Sequence, residues 1–270
     1  MLKQACLLLA IPLVVLANGC ATIENVAGED DLKIQDGYIY RGDKSFTVQA
    51  VHVPGLFEKG ASLEFMVPAM ARIAEAGGNA IALDLSGFSE DGRSLDPVSV
   101  TTVATYAERA KDQRMVLVVR VLGDAENTAF RKNALETAAR MLKGQGMALY
   151  WIDGPDAAVL ASRFKKLAPR LILAAPENGD VQTVTDPNEA GNNGLMLVAG
   201  TLPLDPWGDT HYVVPDSEET YARLEAAYTN ETERKPWTPD NSMLSEDERN
   251  AGFVSLFNGR DLNNWWHYYH

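Results

Sequence analysis

Short apolar runs alternate with longer stretches of helical periodicity along most of the chain. The runs have the length and apolar content of strands that are buried on both faces. Such runs predict strands at Phe46–Val53, Asn79–Leu85, Met115–Leu122, Ala148–Ile152, Leu171–Ala175, Gly194–Ala199 and Thr210–Val214. Strands that alternate with helices form a parallel sheet, because each crossover helix carries the chain back to the starting edge.

The predicted helices have recognisable ends. Asp96-Pro97 supplies a cap and a first-turn proline for a helix that runs to Asp112. Asp216, with Glu219 three residues later, resembles a capping box for a helix to Tyr228. The other helices are predicted at Leu63–Glu75, which ends at a Gly-Gly pair, at Thr128–Lys143 and at Asp156–Leu167.

Two architectures fit this alternation, a (β/α) barrel and an open, doubly wound sheet. Neither G-x-G-x-x-G nor G-x-x-x-x-G-K-[ST] occurs, so the nucleotide-binding form of the open sheet loses its main support. Eight-stranded barrels typically need about 250 residues, and the strand–helix region is shorter. The sequence therefore predicts an α/β fold with a small or incomplete (β/α) barrel over residues 36–228.

The N-terminus has the pattern of an export signal. Lys3 precedes an apolar stretch from Cys6 to Ala17, and Cys20 follows in "LANGC". This resembles a bacterial lipoprotein processing site, which implies a signal peptide at 1–19, lipidation of Cys20 and, from Ala21, the outer-membrane class of the cell envelope. Residues 20–35 read as an acidic tether. A hairpin around the Asp-Gly and Gly-Asp turns that follow closes the bottom of the barrel.

Charge and cysteine content narrow the partners. The chain has 24 basic and 37 acidic residues and a net charge of −13, which argues against nucleic acid and against electrostatic docking on anionic lipid. We therefore expect membrane contact only through the lipid anchor. Two cysteines, one of them in the leader, leave no disulfide and no cysteine cluster for zinc, and no cofactor motif is present. No feature indicates an oligomeric state.

The C-terminal segment has the pattern of a domain's first strand. Residues 229–250 are polar and charged and predict a linker, and Gly252–Trp265 reads "GFVSLFNGRDLNNW". This resembles the opening strand and turn of the 3-keto-disaccharide hydrolase domain, a jelly roll that acts on or binds sugars. The resemblance implies that residues 251–270 are the truncated start of such a domain, with its catalytic positions beyond His270.

The central region resembles TIM-barrel glycoside hydrolases. "DGYIYRGDKSFTVQAVHVPG" is similar to their first strand with the segment before it, and "AEAGGNAIALDL" to their second strand. Many such enzymes place Asn-Glu after strand four, whereas this chain has "WIDGPD" with Asp153. This departure puts catalysis in doubt.

Candidate residues are expected at the carboxyl ends of the strands, where barrels place their chemistry. Glycoside hydrolysis needs two carboxyl groups, and Asp153 and Glu177 end neighbouring strands. The alternative is that both are turn residues, chosen for local backbone bonding.

Asp84 and Arg120 are charges within apolar strands. They predict either an ion pair across adjacent strands or a clamp for sugar hydroxyls. His52 and Trp207 are further candidates for binding a saccharide, with a structural role as the alternative for His52. His211 is expected to be structural, and His267 and His270 are a weak metal pair.

Together these features predict an exported bacterial lipoprotein for carbohydrate processing, of the glycoside or 3-keto-disaccharide hydrolase type, with a saccharide ligand and no cofactor. The alternative is a non-catalytic sugar-binding or scaffolding module of the cell envelope. The two differ in whether Asp153 and Glu177 face one open cleft.

Overall fold

The structure is a computed structural model that describes residues 28–57, 63–186, 195–203 and 210–234. The strands are β1 (Leu32–Gln35), β2 (Tyr38–Arg41), β3 (Lys44–Phe46), β4 (Gln49–His52), β5 (Ala80–Asp84), β6 (Val116–Arg120), β7 (Ala148–Trp151), β8 (Ile172–Ala175), β9 (Val181–Val184), β10 (Met196–Ala199) and β11 (His211–Pro215). The helices are α1 (Leu63–Glu75), α2 (Pro97–Asp112), α3 (Thr128–Leu142), α4 (Ala157–Leu167) and α5 (Glu218–Arg234).

Eight strands, β4 to β11, close into a parallel barrel. They follow one another around the circle in chain order, and β11 pairs with β4 to complete it, with Val213 opposite Ala50. This confirms the predicted (β/α) barrel. The barrel is small because its second half has short connections, and residues 176–180 join β8 to β9 without a helix.

The apolar pattern missed only strand β9 of the barrel. Its sequence, Val-Gln-Thr-Val, lacks a continuous apolar run, and Gln182 is exposed. The turn before it folds the chain back along β8, with the Asp180 amide donating to the Leu173 carbonyl. Asn178 has a φ of 58° there, and a Cβ on Gly179 would lie 2.8 Å from the Leu173 carbonyl oxygen. Asn178 and Gly179 thus form the tight connection that brings β9 beside β8.

Side-chain alternation along the strands separates two apolar layers. The inward side chains fill the barrel with Ala50, Ala80, Ala82, Val116, Val118, Leu149, Ile172, Ala174, Val181, Leu197 and Val213. The outward side chains pack against the helices, and they include Ile81, Leu83, Leu117, Val119, Tyr150 and Leu173. Because the interior is packed, the barrel offers a ligand no room inside, and the mouth is the place where its strand ends can contact one.

The three-stranded antiparallel sheet β1–β2–β3 covers the amino-terminal end of the barrel. Leu32 and Ile39 are buried in the same cluster as the inward barrel residues, and the Leu32 amide donates to the Gly146 carbonyl just before β7. The predicted hairpin thus closes the bottom of the barrel. It begins at Leu32, within the predicted tether and four residues before the expected boundary, because burial of Leu32 anchors this segment.

Helix ends follow the local rules in most places. The Asp96 side chain accepts from the Val98 amide and caps α2, as predicted. At α5 the cap is Ser217, whose hydroxyl accepts from the Thr220 amide, rather than the expected Asp216. Helix α5 also runs to Arg234, six residues past the predicted end at Tyr228 and into the predicted linker.

Several predictions concern parts of the chain that lie outside the described residues. They are the signal peptide, Cys20, Trp207, the remainder of the linker, the segment 251–270 and the pair His267 and His270. Among the helices within the described ranges, none has the length and apolar character needed to span a bilayer.

Candidate functional site at the mouth of the barrel

Four neighbouring strands end in inward-facing polar or aromatic side chains at the carboxyl end of the barrel. We call His52, Asp84, Arg120 and Trp151 the mouth layer. The strand register places Asp84 beside Arg120 and Arg120 beside Trp151. Since the residue two positions earlier in each strand also points inward, alternation alone carries these side chains onto the top of the packed interior.

Arg120 is the centre of the charge network. Its Nη1 lies 3.4 Å from Asp84 Oδ1, its Nε donates to Asp153 Oδ2 at 3.0 Å, and its Nη2 lies 2.8 Å from Asp124 Oδ1. The expected Asp84–Arg120 ion pair is therefore present, and Arg120 also binds two further carboxylates. Burial acts most strongly and lowers the pKa of Arg120, but the three acids together raise it above its ordinary value.

Asp84 lies between two nitrogen-bearing side chains. His52 Nε2 is 3.1 Å from Asp84 Oδ1, although the nitrogen is not aligned for a linear hydrogen bond. Burial is the largest influence on Asp84 and acts to raise its pKa. The close contacts with His52 and Arg120 outweigh burial, so the pKa of Asp84 lies below its ordinary value. Asp84 is therefore an ionised acceptor at neutral pH.

Trp151 is the largest side chain of the mouth layer. The His52 ring stands edge-on to it with centroids 6.1 Å apart, and the Arg120 guanidinium carbon lies 5.2 Å from the ring centroid. Trp151 belongs to the buried residues, since it is 7% exposed. Trp151 nevertheless also lines the cleft beside it.

The two predicted catalytic carboxyls share one cleft of about 620 Å³ at the mouth. Its lining residues are Trp151, Asp153, Gly154, Pro176, Glu177, Gln182, Thr183, Val184, Thr185, Ala199 and Gly200. Glu177 is exposed, whereas Asp153 is bound by Arg120. Both residues therefore lie at the mouth, and one of them, Asp153, is engaged there in an ion pair that the sequence did not predict.

A second arginine supports the loop that carries Asp153. Arg131, on α3, is 4% exposed and donates to the Asp156 carboxylate, to the Ala125 carbonyl and to the Asp153 carbonyl. Gly154, at φ 92°, lies against the guanidinium, because a Cβ there would be 2.8 Å from Arg131 Nη2. Arg131 thus joins the loops that follow β6 and β7.

Three residues of the site, Asp124, Arg131 and Thr183, were not predicted from the sequence. Asp124 follows Arg120 by four residues in the loop after the strand, which is the one local signal that could have found it. The predicted structural role of His211 is confirmed, since its Nδ1 accepts from the Val48 amide at the opposite end of the barrel. No set of three or more potential metal ligands occurs in the described part of the chain.

The fold and this site define a closed (β/α) barrel with an acidic, arginine-centred mouth. No protein-family model matches the chain, and no curated protein matches it. Among solved structures, the chain is similar to the endo-1,4-β-mannanase of Rhizomucor miehei, with 9% identity over 76% of this chain and 100% of that chain and a TM-score of 0.49.

Two further solved structures are similar. The β-mannanase of Thermomonospora fusca in its mannohexaose complex has 13% identity over 68% of this chain and 83% of that chain, with a TM-score of 0.45. The glycoside hydrolase family 5 mannosidase of Rhizomucor miehei has 10% identity and a TM-score of 0.42, over 63% of this chain and 62% of that chain, less than two thirds of its length. The chain shares their barrel architecture, but likenesses at these values carry no argument about its activity.

Proposed function

We propose that the mouth of the barrel binds a saccharide and that the chain acts on it as a glycoside hydrolase. The observation that carries this proposal is that Asp153 and Glu177 line one cleft. Two carboxyl groups on a common cleft are the basic requirement of glycoside hydrolysis, which needs one proton donor and one nucleophile or base.

The ionic contacts favour different roles for the two groups. Asp153 is held by two nitrogens of Arg120, at 3.0 and 2.9 Å, which suits the role of an ionised nucleophile or base. Glu177 is exposed and makes no hydrogen bond or ion pair within the described residues. We assign it the role of proton donor, because a sugar ring that covers the cleft would remove water from this carboxyl.

The remaining residues of the mouth suit hydroxyl groups. Asp84 supplies an ionised acceptor, Arg120 supplies donors, and Thr183 adds a hydroxyl on the cleft wall. His52 and Trp207 complete the proposed binding residues. The carboxylates of Asp84, Asp124, Asp153 and Glu177 outnumber the guanidinium of Arg120 among the described residues that line the mouth, so a neutral ligand is favoured over an anionic one.

A specific observation also favours a second candidate, a non-catalytic sugar-binding module. The Arg120 guanidinium forms an ion pair with the Asp153 carboxylate. A carboxylate paired in this way can accept hydrogen bonds from sugar hydroxyls without acting as a nucleophile or base. Hydrolysis and binding therefore have to be measured on the same variants.

The test uses Asp153→Asn, Glu177→Gln and the double variant, with Asp43→Asn in the exposed turn at the other end of the barrel as control. Release of nitrophenol from 4-nitrophenyl β-mannoside, β-glucoside and α-glucoside measures hydrolysis, and calorimetry with the matching disaccharides measures binding. Each single change should lower kcat by about 100-fold or more, with the control unaffected. A double variant as active as the wild type would exclude the hydrolase, and saccharide binding without turnover would support the binding module.

We also propose that the chain is exported as a lipoprotein through Cys20 and faces the periplasm or the cell surface. We further propose an activity of the 3-keto-disaccharide hydrolase type, on the basis of the sequence resemblance of residues 251–270 to the start of such a domain. Expression in a bacterial host with an alkyne-tagged palmitate should label the wild type and leave Cys20→Ser unlabelled. Equal labelling of the two chains would contradict the anchor.

A further inference from the structure

Trp151 has a buried hydrogen-bond donor without an acceptor. The residue is 7% exposed, and its Nε1 is buried with no hydrogen-bond partner among the described residues. Buried indole N–H groups usually find a partner, because a donor removed from water without one costs free energy. A phenylalanine, although smaller, would place an aromatic ring here without that cost. The N–H therefore calls for an explanation other than packing.

The surroundings of Trp151 explain why none of the described residues accepts from this N–H. Its closest ring contacts are with His52 and Arg120, and the guanidinium of Arg120 is a donor only. The nearby carboxylates of Asp84 and Asp153 are engaged with Arg120. Trp151 is at the same time part of the wall of the mouth cleft. The unused donor thus belongs to a residue of the cleft wall, although the nitrogen itself is covered.

We propose that Trp151 Nε1 donates a hydrogen bond to an oxygen of the bound ligand, and that this ligand is a neutral polyhydroxylated compound. The inference rests on the proposed saccharide site and adds to it a residue that donates a hydrogen bond to an oxygen of the saccharide. The free N–H is covered, so ligand entry is accompanied by a small movement of the side chains over it.

The charges of the mouth restrict the chemical class of the ligand. An anionic ligand would meet the carboxylates of Asp84, Asp153 and Glu177, while the one guanidinium is already shared among three acids. A simple alkylammonium cation, which carries no oxygen, has no acceptor for the indole N–H. A hydroxyl group satisfies both sides, since it can accept from Trp151 and donate to a carboxylate.

The test replaces Trp151 by β-(3-benzothienyl)alanine, in which sulfur takes the place of the N–H with almost the same shape. Titration calorimetry with mannobiose, cellobiose and maltose, on the full chain, should show affinity for the bound disaccharide weakened about fivefold. The melting temperature should be unchanged or higher, since the variant buries no unpaired donor. Tyr38→Phe, which removes an exposed hydroxyl near the floor of the barrel, should change neither quantity.

Nuclear magnetic resonance gives an independent readout on the wild type. The indole ¹H–¹⁵N resonance of Trp151, assigned by its loss in Trp151→Phe, should shift on saturation with the disaccharide that binds. If a disaccharide binds the benzothienyl variant and the wild type with equal affinity and does not shift this resonance, the hydrogen bond from Trp151 is refuted, whereas the proposed saccharide site stands. Failure of all three disaccharides to bind would overturn the proposed saccharide site and the ligand class together, and a less stable benzothienyl variant would show that the N–H has an internal acceptor.

Discussion

Replacing Gly179 by alanine should destabilise the barrel at the turn between β8 and β9. This turn is the tightest connection of the barrel, because the chain folds back beside the strand that it has just left. An added Cβ would lie 2.8 Å from the Leu173 carbonyl oxygen, 2.9 Å from the Ala175 nitrogen and 3.0 Å from the Val181 carbonyl oxygen. All three atoms belong to the backbone, so no side-chain rotation can relieve the contact.

The expected cost follows from these contacts. Overpacking in a close-packed region costs about 1–3 kcal/mol, and contacts with backbone on three sides place this change at the upper end, about 3 kcal/mol. For a domain of roughly 200 residues, that corresponds to a fall in melting temperature of about 6–12 °C. Because Glu177 lies two residues before Gly179, the same change should also displace one of the proposed carboxyl groups.

Thermal and urea unfolding followed by circular dichroism measure the effect. Gly144→Ala is a matched control, because nothing lies within 4 Å of a Cβ at that position, after α3. The control should stay within about 0.5 kcal/mol of the wild type. If Gly179→Ala melts at the same temperature as the control, then the β8–β9 turn does not have the close approach that this reasoning requires.

Two further predictions concern the charge network. The pKa of Asp84 is lower in the folded chain than its ordinary value, so the ionised carboxylate stabilises the fold, and this contribution is lost as the pH falls through about 4 and below. The difference in free energy of unfolding between wild type and Asp84→Asn, measured in urea, should therefore shrink between about pH 5 and pH 3. A difference that grows on acidification would contradict the lowered pKa. Arg131→Met should lower the free energy of unfolding by about 3–5 kcal/mol, because it leaves the Asp156 carboxylate and two carbonyls without their donor. The control Arg140→Met, which loses an exposed ion pair with Glu136, should lower it by less than about 1 kcal/mol. Similar melting temperatures for the two variants would refute the support role of Arg131.

The sequence alone gave the elements of the barrel and the identity of its polar ends. Apolar runs located seven of the eight barrel strands, because a strand that is buried on both faces has a nearly continuous apolar sequence. The Asp96-Pro97 cap located helix α2 closely, since a cap is satisfied within a few residues. The positions of Asp84 and Arg120 followed from the same reasoning, as charges that interrupt apolar strands and therefore need partners.

Only the tertiary structure decided how these parts combine. Strand β9 left no apolar run, and it is a strand because the turn at Gly179 lays it against β8. Only one partner of Arg120, Asp124, lies close to it in the sequence. The other two, Asp84 and Asp153, lie at or just after the ends of other strands, and their meeting with Arg120 depends on the register of neighbouring strands. The same holds for the unpaired N–H of Trp151. The apolar pattern of a sequence predicts that a side chain is buried. The hydrogen-bond partners of that side chain depend on the chain segments that the closed barrel brings around it.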